Sequence, residues 1–356
     1  MKRLTAFYLI FVLLVGCFSG CGAQMQKFQY QFFDTFDTIV QIVGYTSTQQ
    51  EFDAFAQMAH KRFAELHNLF DKFDDHGQND GIAAVNANAG IAPVRVDPQV
   101  MELVLFALEW QQKTTGAVDI TMGAVISVWQ DYIARYGMAD ADARIPSQTE
   151  LEQAKKLCGL HLLEVDEQAG TIYLKEKGAS LDVGAVAKGY ATEIGATELQ
   201  KAGWKSFSIS SGGNVRVCGK PQNGSSHWNI GIQDPASGAV LAGQSNLLDV
   251  VQLVDGSAVT SGDYQRFYMV DGRRMHHIID PATLMPADHY RSVTVVTPHS
   301  GQADLFSTAL FVMDPQTGKD FAQQHNLGVM WVMQDGSVVC NDILRPMLRN
   351  GGSYLE

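Results

Sequence analysis

Ser180 to Leu199 reads SLDVGAVAKGYATEIGATEL, and the fold class turns on how this stretch divides. Ser180–Val183 reads as a strand, Gly184 as a tight turn, and Val186, Tyr190 and Ile194 then recur on one helical face, with Gly203 near the helix end. A strand, a glycine and a helix in that order leave free backbone N–H groups at the positive end of a dipole, a setting suited to phosphate. Lys188 sits within the first turn. The GxxxxGK(S/T) order of a Walker loop is absent, so an anion site and a plain structural turn both stay open at this point.

Further along, SISSGGNVRVCGKP (Ser208–Pro221) is a strand broken at Ser211-Gly212-Gly213-Asn214, where a glycine pair either lets backbone approach a ligand or forms a bulge. AVTSGDYQRFY (Ala258–Tyr268) places Ser261-Gly262-Asp263 between two strand-like runs, and Asp271-Gly272 then marks a hairpin turn. MHHIIDPATLMPA (Met275–Ala287) follows, with His276 and His277 shortly ahead of Asp280. If Ile278-Ile279 continue a strand, neighbouring side chains leave opposite faces, so one ion does not easily collect both rings. One histidine then faces a site and the other does not. In ADLFSTALFVM (Ala303–Met313), Asp304, Ser307 and Thr308 share a face of a helix's first turns, which suits a hard cation such as Mg²⁺. Asp304 serves equally well as an N-cap or first-turn acid.

The first half is more helical. From Gln49, Phe52, Phe55, Met58, Phe63, Leu66 and Phe70 recur mostly three and four apart, a core stripe. Asn86–Gly90 is a loop, Asp97-Pro98 opens a second helix with Leu103, Leu105, Phe106 and Trp110, and Met138–Ser147 is a polar surface loop. Before the first helix, Phe28–Tyr45 has the aromatic and β-branched content of strands, including the near repeat FDTFDT at Phe33–Thr38. Strands and helices mixed in non-repeating order define an α+β chain. With 356 residues, 46% of them hydrophobic, there is material for a large core. A net charge of −12 with no Lys/Arg cluster argues against a nucleic-acid partner, because binding to a phosphate backbone needs a basic face.

Lys2 and Arg3 precede an apolar run from Leu4 to Val15 and then small residues, the layout of an export signal. Leu14-Val15-Gly16-Cys17 resembles the bacterial lipobox, which makes Cys17 the lipidation candidate, with Cys21 as the less regular second choice; an ordinary cleaved signal is the plain alternative. The expected organisation is a leader over residues 1–21, a tether over 22–29 and one domain over 30–356, exported and lipid-anchored at the outer face of the cytoplasmic membrane or in the periplasm. Cys158, Cys218 and Cys340 are few, dispersed and odd in number, so they read as buried fillers rather than a disulfide framework or zinc site.

Taken in order, DVGAVAKGYA, SSGGNVRVCGKP, the W-x-I-G-I-x-DP run at Trp228–Pro235, AVTSGDYQRFY, HHIIDP and ADLFSTALFVM resemble the FAD:protein FMN transferases of the ApbE type. The resemblance implies an ApbE-like α+β fold of two closely associated subdomains with the FAD site between them. It also implies a Mg²⁺-dependent reaction that splits FAD, joins FMN through its phosphate to a Thr or Ser of an exported acceptor protein, and releases AMP. The acceptors it suggests are subunits of membrane redox complexes such as the sodium-pumping quinone reductase.

By position, the family's metal site maps onto the Ala185 carbonyl, Asp304 and Thr308. Flavin and nucleotide contacts map onto Lys188, Ser261, Gly262, Asp263, His276 and His277, with Gly212, Gly213 and Asn214 as neighbours. His277 ranks above His276 as the group that takes a proton from the acceptor, and Asp304 joins it as a catalytic candidate. Two departures stand out. Leu284 occupies the place of a family glycine after HIIDP, and Phe36-Asp37-Thr38 or Asp34-Thr35 replaces the family's Met-Gly-Thr, so flavin contacts of that first motif are not carried over. Two other functions stay open on sequence: hydrolysis of FAD to FMN and AMP, and a flavin-binding lipoprotein without chemistry.

Overall fold

The computed structural model describes residues 25–137, 140–237 and 246–352. The expected leader and both lipidation candidates, Cys17 and Cys21, lie outside them. The first described element is β1 (Gln26–Thr35), so the second half of the 22–29 span expected as a tether is strand, held by the tilted packing of Phe28 on Phe52. Among the described residues no helix is long and apolar enough to cross a membrane.

An eight-stranded sheet forms the frame. In spatial order it runs β1, β2 (Thr38–Thr46), β6 (Phe207–Ser211), β7 (Asn214–Cys218), β10 (Gly256–Gly262), β13 (Tyr290–Thr297), β14 (Gly328–Met333) and β15 (Val338–Cys340). Every neighbouring pair is antiparallel. Between β2 and β6 the chain leaves the sheet for α1 (Gln49–Phe70), α2 (Ile82–Ala87), β3 (Val94–Arg95), α3 (Pro98–Lys113), α4 (Gly123–Arg135), α5 (Gln148–Lys155), β4 (Leu163–Asp166), β5 (Thr171–Leu174) and α6 (Ala187–Lys201). Two hairpins, β8 (Trp228–Gln233) with β9 (Leu247–Leu253) and β11 (Phe267–Val270) with β12 (Arg273–His276), leave the frame later, and α7 (Ser300–Val312) and α8 (Pro315–Gln324) return to it.

Both faces of the sheet are covered. Helices α1, α6 and α7 pack on one, and β8–β9 packs on the other through Trp228, Ile232, Val251 and Leu253 against Val217, Ala258 and Val296. This explains why β13 is buried along nearly its whole length rather than at alternate residues. A separate core joins α4 and α5 to β11–β12 through Trp129, Tyr132, Tyr268 and Met275.

Several sequence expectations hold. Helix α1 buries Phe52, Phe55, Phe63, Leu66 and Phe70, although Met58 of the same stripe is 38% exposed because its turn faces solvent. Asp97 caps α3 by accepting from the Gln99 N–H, with Pro98 in the first turn. The three described cysteines are free and buried.

Two strand expectations fail for a common reason: an extended segment finds non-strand partners. Ser180–Val183 joins no sheet, because Leu181 exchanges both backbone bonds with the Asn86 carboxamide and the Asp182 N–H goes to the Ile120 carbonyl. Ile278-Ile279 form no strand beyond a single bridge from Ile279 to Pro286.

Candidate functional site

A cavity of about 1420 Å³ opens between the ends of β2, β6, β7 and β10 on one side and residues 117–134 with the 182–188 turn on the other. This exceeds the roughly 300–1,000 Å³ of ordinary ligand pockets, so it suits a dinucleotide with space for part of a second reactant. Its wall includes Ala185, Lys188, Gly212, Gly213, Asn214, Ser261, Gly262, His277, Asp304 and Thr308.

The turn that opens the cavity is tied down by Asp182. Its Oδ1 accepts the Gly184 N–H at 2.8 Å, and its Oδ2 meets Lys72 Nζ at 2.7 Å, which also donates to Gln130 Oε1. Both members of this ion pair are about nine-tenths buried, so losing either strands a charge in the wall. Beyond the turn, the Gly189 N–H bonds Asp304 Oδ2 at 2.7 Å instead of running back along the helix. The Ala185 carbonyl therefore has no backbone partner among the described residues and lies in the cavity wall.

Asp304 is not an N-cap. His299 caps α7 by accepting from Gly301 and Gln302, which leaves Asp304 buried in the second turn, where α6 crosses it. The crossing is close because residue 189 is glycine: a Cβ there would lie 2.4 Å from Asp304 Cβ, 2.5 Å from the Ser300 carbonyl and 2.7 Å from Asn214 Nδ2. Burial raises the Asp304 pKa, while Lys188, the Gly189 N–H and the Asn214 side chain pull it back. One helical turn on, Ser307 Oγ bonds Ser261 Oγ at 2.8 Å, and Thr308 Oγ1 makes only long contacts, 3.4 Å to Ser261 Oγ and 3.4 Å to the Asp304 carbonyl. A carboxylate, a hydroxyl with spare lone pairs and an unpartnered carbonyl thus share the wall. That is a hard-oxygen donor set of the type Mg²⁺ takes.

The two histidines separate. His277 lines the cavity, with Nδ1 3.4 Å from the Arg266 carbonyl. The ring is half-buried and faces the cavity. Enclosure, then the neighbouring His276, Arg266 and Lys188, lowers its pKa to about 3, so it is neutral at pH 7. His276 faces the core instead. Its Nε2 donates to the Ala287 carbonyl at 2.8 Å and its Nδ1 accepts from Ile278 N–H, which fixes the neutral tautomer, and burial holds its pKa down to about 4. Asp263 also leaves the cavity: its buried carboxylate binds Arg274 Nη1 at 2.7 Å. The two cofactor-contact expectations placed on His276 and Asp263 are therefore corrected to supporting roles, and the physical reason is that each is consumed by a buried partner.

The 211–214 segment is a tight β6–β7 turn, with Gly212 at φ 56° and Gly213 at φ 92°. A Cβ on Gly212 would lie 2.2 Å from Thr38 Oγ1, so this turn meets the β1–β2 turn directly. That second turn, Phe36-Asp37, holds two non-glycine residues at φ 53° and 49°. Phe36, Asp37 and Thr38 all line the cavity, contacts that sequence reasoning withheld because the family's Met-Gly-Thr is missing. Lys72 and Asp182 were missed as well; Asp182 stood inside DVGAVAKGYA, but nothing in sequence links it to a lysine 110 positions away. Leu284 takes the conformation its replaced glycine would favour, φ 62°, and its carbonyl accepts the Trp129 indole N–H at 2.8 Å.

Sheet, turn and oxygen cluster together define an α+β protein built around a nucleotide-sized cavity with a set of hard-oxygen donors in its wall. The profile of the ApbE family matches residues 36–331, and the chain belongs to that family. The FAD:protein FMN transferase of Escherichia coli K12 is 30% identical over 255 residues, covering 70% of this chain and 69% of that protein. The FAD:protein FMN transferase of Treponema pallidum is 36% identical over 247 residues, covering 65% and 64%. Among solved structures, the ApbE protein of Thermotoga maritima superposes with a TM-score of 0.76 at 26% identity, over 91% of this chain and all of that one. The flavin transferase ApbE of Vibrio cholerae also gives 0.76, at 23% identity, which bears on the fold.

Proposed function

We propose that this protein is an FAD:protein FMN transferase that joins FMN through its phosphate to a Thr or Ser hydroxyl of an exported acceptor and releases AMP. The observation that carries the reading is the presence of Asp304, Thr308 and the unpartnered Ala185 carbonyl in the lining of one cavity large enough for FAD, with the Gly189 N–H tying Asp304 to the turn after Ala185. The relatives named above supply the reaction class.

In this reaction the acceptor oxygen forms a bond to the FMN-side phosphorus, the bridging P–O bond breaks, and AMP leaves with the bridging oxygen. Bound at Asp304, Thr308 and Ala185, Mg²⁺ would neutralise charge on the pyrophosphate oxygens. Lys188, in the first turn of α6, adds a positive charge beside the same wall, and the positive end of the α6 dipole favours an anion there. Neutral His277 has a lone pair to receive the acceptor proton, and two phosphate charges nearby make it a stronger base than in the empty cavity. The Ser261–Ser307 bond aligns the β10 end with α7, so the oxygen donors do not have to reorganise when substrate enters.

Export and a lipid anchor on Cys17 or Cys21 complete the proposal, supported by the basic start, the apolar run and the small residues before each cysteine. The test is incubation with FAD, Mg²⁺ and an exported flavinylatable protein, read by flavin fluorescence on the denatured acceptor and by AMP release. Both signals in equal amount support transfer. AMP alone marks the protein as a hydrolase, and neither product marks it as a flavin binder.

A further inference from the structure

We propose a second metal site, distinct from the Asp304 cluster and formed by His67, Asp71 and His76, that takes a borderline transition ion of the Zn²⁺ class. One ring nitrogen from each histidine and one Asp71 oxygen lie within 4.8 Å of one another. Ligand atoms about 2.0–2.1 Å from a tetrahedral ion sit roughly 3.4 Å apart, so side-chain adjustments close the set without a change of fold. Two imidazoles and one carboxylate select Zn²⁺, Co²⁺ or Ni²⁺ over Mg²⁺, which prefers oxygen.

The surroundings favour a cation. His67 lies in the last turn of α1 and Asp71 caps it, at the negative end of the longest described helix. Asp71 is already oriented, with Oδ1 accepting the Phe73 N–H at 2.8 Å and Oδ2 3.0 Å from His76 Nε2. His76 is held at φ 50°, and its own N–H bonds Asp74 Oδ1. The loop brings back a second histidine whose partner is already the Asp71 carboxylate.

Occupancy reaches the cavity. His67 and Asp71 both line it, and His67 Nδ1 accepts the Phe36 N–H at 3.3 Å in the β1–β2 turn. If Nδ1 binds the ion, its lone pair is used; if Nε2 binds, the proton moves to Nδ1. In either case Phe36 loses its acceptor, so the ion and the turn at the cavity edge are coupled.

The test stands apart from the flavin-transfer reading. The untagged exported chain, stripped with chelator and held in excess Mg²⁺, is titrated with Zn²⁺ by calorimetry and with Co²⁺ by visible absorption. One equivalent should bind, with Co²⁺ bands of a low-coordinate nitrogen–oxygen site. His67→Ala and His76→Ala should each weaken binding by more than about 100-fold, beyond the loss expected for an outer-shell partner. His76 sits on an exposed loop, so its variant folds regardless. Asp304→Asn should keep the site, and so should His60→Ala, another histidine of α1 paired with an acid, Asp34. Absence of stoichiometric binding in the parent chain, or unchanged affinity in His76→Ala, overturns the proposal.

Discussion

Gly189→Ala sets two physical effects against each other in a way that isolates the site. In an exposed helix interior, alanine in place of glycine stabilises by about 1 kcal/mol. At this position the new Cβ lies 2.4 Å from Asp304 Cβ and 2.5 Å from the Ser300 carbonyl. Ordinary carbon contacts are about 3.5–4.0 Å, so α6 and α7 must part by roughly 1 Å. Overpacking of that sort costs about 1–3 kcal/mol, and backbone on one side leaves little room to yield, so the net is a loss of about 2 kcal/mol. For a domain of this size that lowers Tm by about 3 °C. The same movement stretches the Gly189 N–H bond to Asp304, and a 1 Å misplacement of a reacting constellation costs on the order of 100-fold in turnover. Thermal melts and FAD turnover on the purified variant read both. A Tm that rises, as propensity alone dictates, with turnover within threefold of the parent, would refute the close-crossing argument.

The adjacent histidines should divide their effects. His277→Ala should keep the parent Tm and lower turnover by about 10²–10⁴-fold, the range of a lost general base, checked by steady-state kinetics. His276 has a pKa lowered to about 4, so between that value and about 6.5 the unfolded chain binds more protons than the native one and stability rises with pH. The contribution is about 3 kcal/mol, complete above pH 6.5 and lost as pH falls to 4; urea melts across this window should show the slope in the parent and a flatter one in His276→Gln. Leu284→Gly relieves about 1–2 kcal/mol of left-handed strain but gives up comparable side-chain burial and adds freedom to the unfolded chain, so Tm should move by only a few degrees with turnover kept. Lys72→Met leaves Asp182 buried without its partner and should cost about 3–5 kcal/mol, read by denaturant unfolding.

What sequence conveyed was the local chemistry. Periodicity located α1, the Asp97-Pro98 signal located the start of α3, and Asp271-Gly272 marked a hairpin turn, because each is set by residues adjacent in the chain; Gly212-Gly213, legible only as a break in a strand, is the tight β6–β7 turn. The cluster of Asp304, Ser307 and Thr308 was visible at helical spacing, and its link to the Ala185 turn came from resemblance rather than from spacing. The unread parts depend on distant pairings. Nothing local tells that Asn86 occupies the backbone groups of Leu181, or that Arg274 takes Asp263 out of the cavity. The flavin contacts of the first motif do not carry over because Phe36-Asp37-Thr38 or Asp34-Thr35 stands where the family has Met-Gly-Thr, yet Phe36 and Asp37 both adopt the left-handed conformation that favours glycine. The His67–Asp71–His76 group was hidden for a similar reason: its spacing crosses a helix end, where helical periodicity no longer applies.

The most direct measurement is FAD turnover with an exported acceptor by the parent chain and by Asp304→Asn, each at saturating FAD across a Mg²⁺ titration. The parent should release AMP and flavinylate the acceptor in equal amounts with saturable Mg²⁺ dependence, and Asp304→Asn should lose both while keeping its fold by circular dichroism. Equal turnover by the folded Asp304→Asn variant at the same Mg²⁺ concentrations would contradict the assignment of this wall as the reaction site.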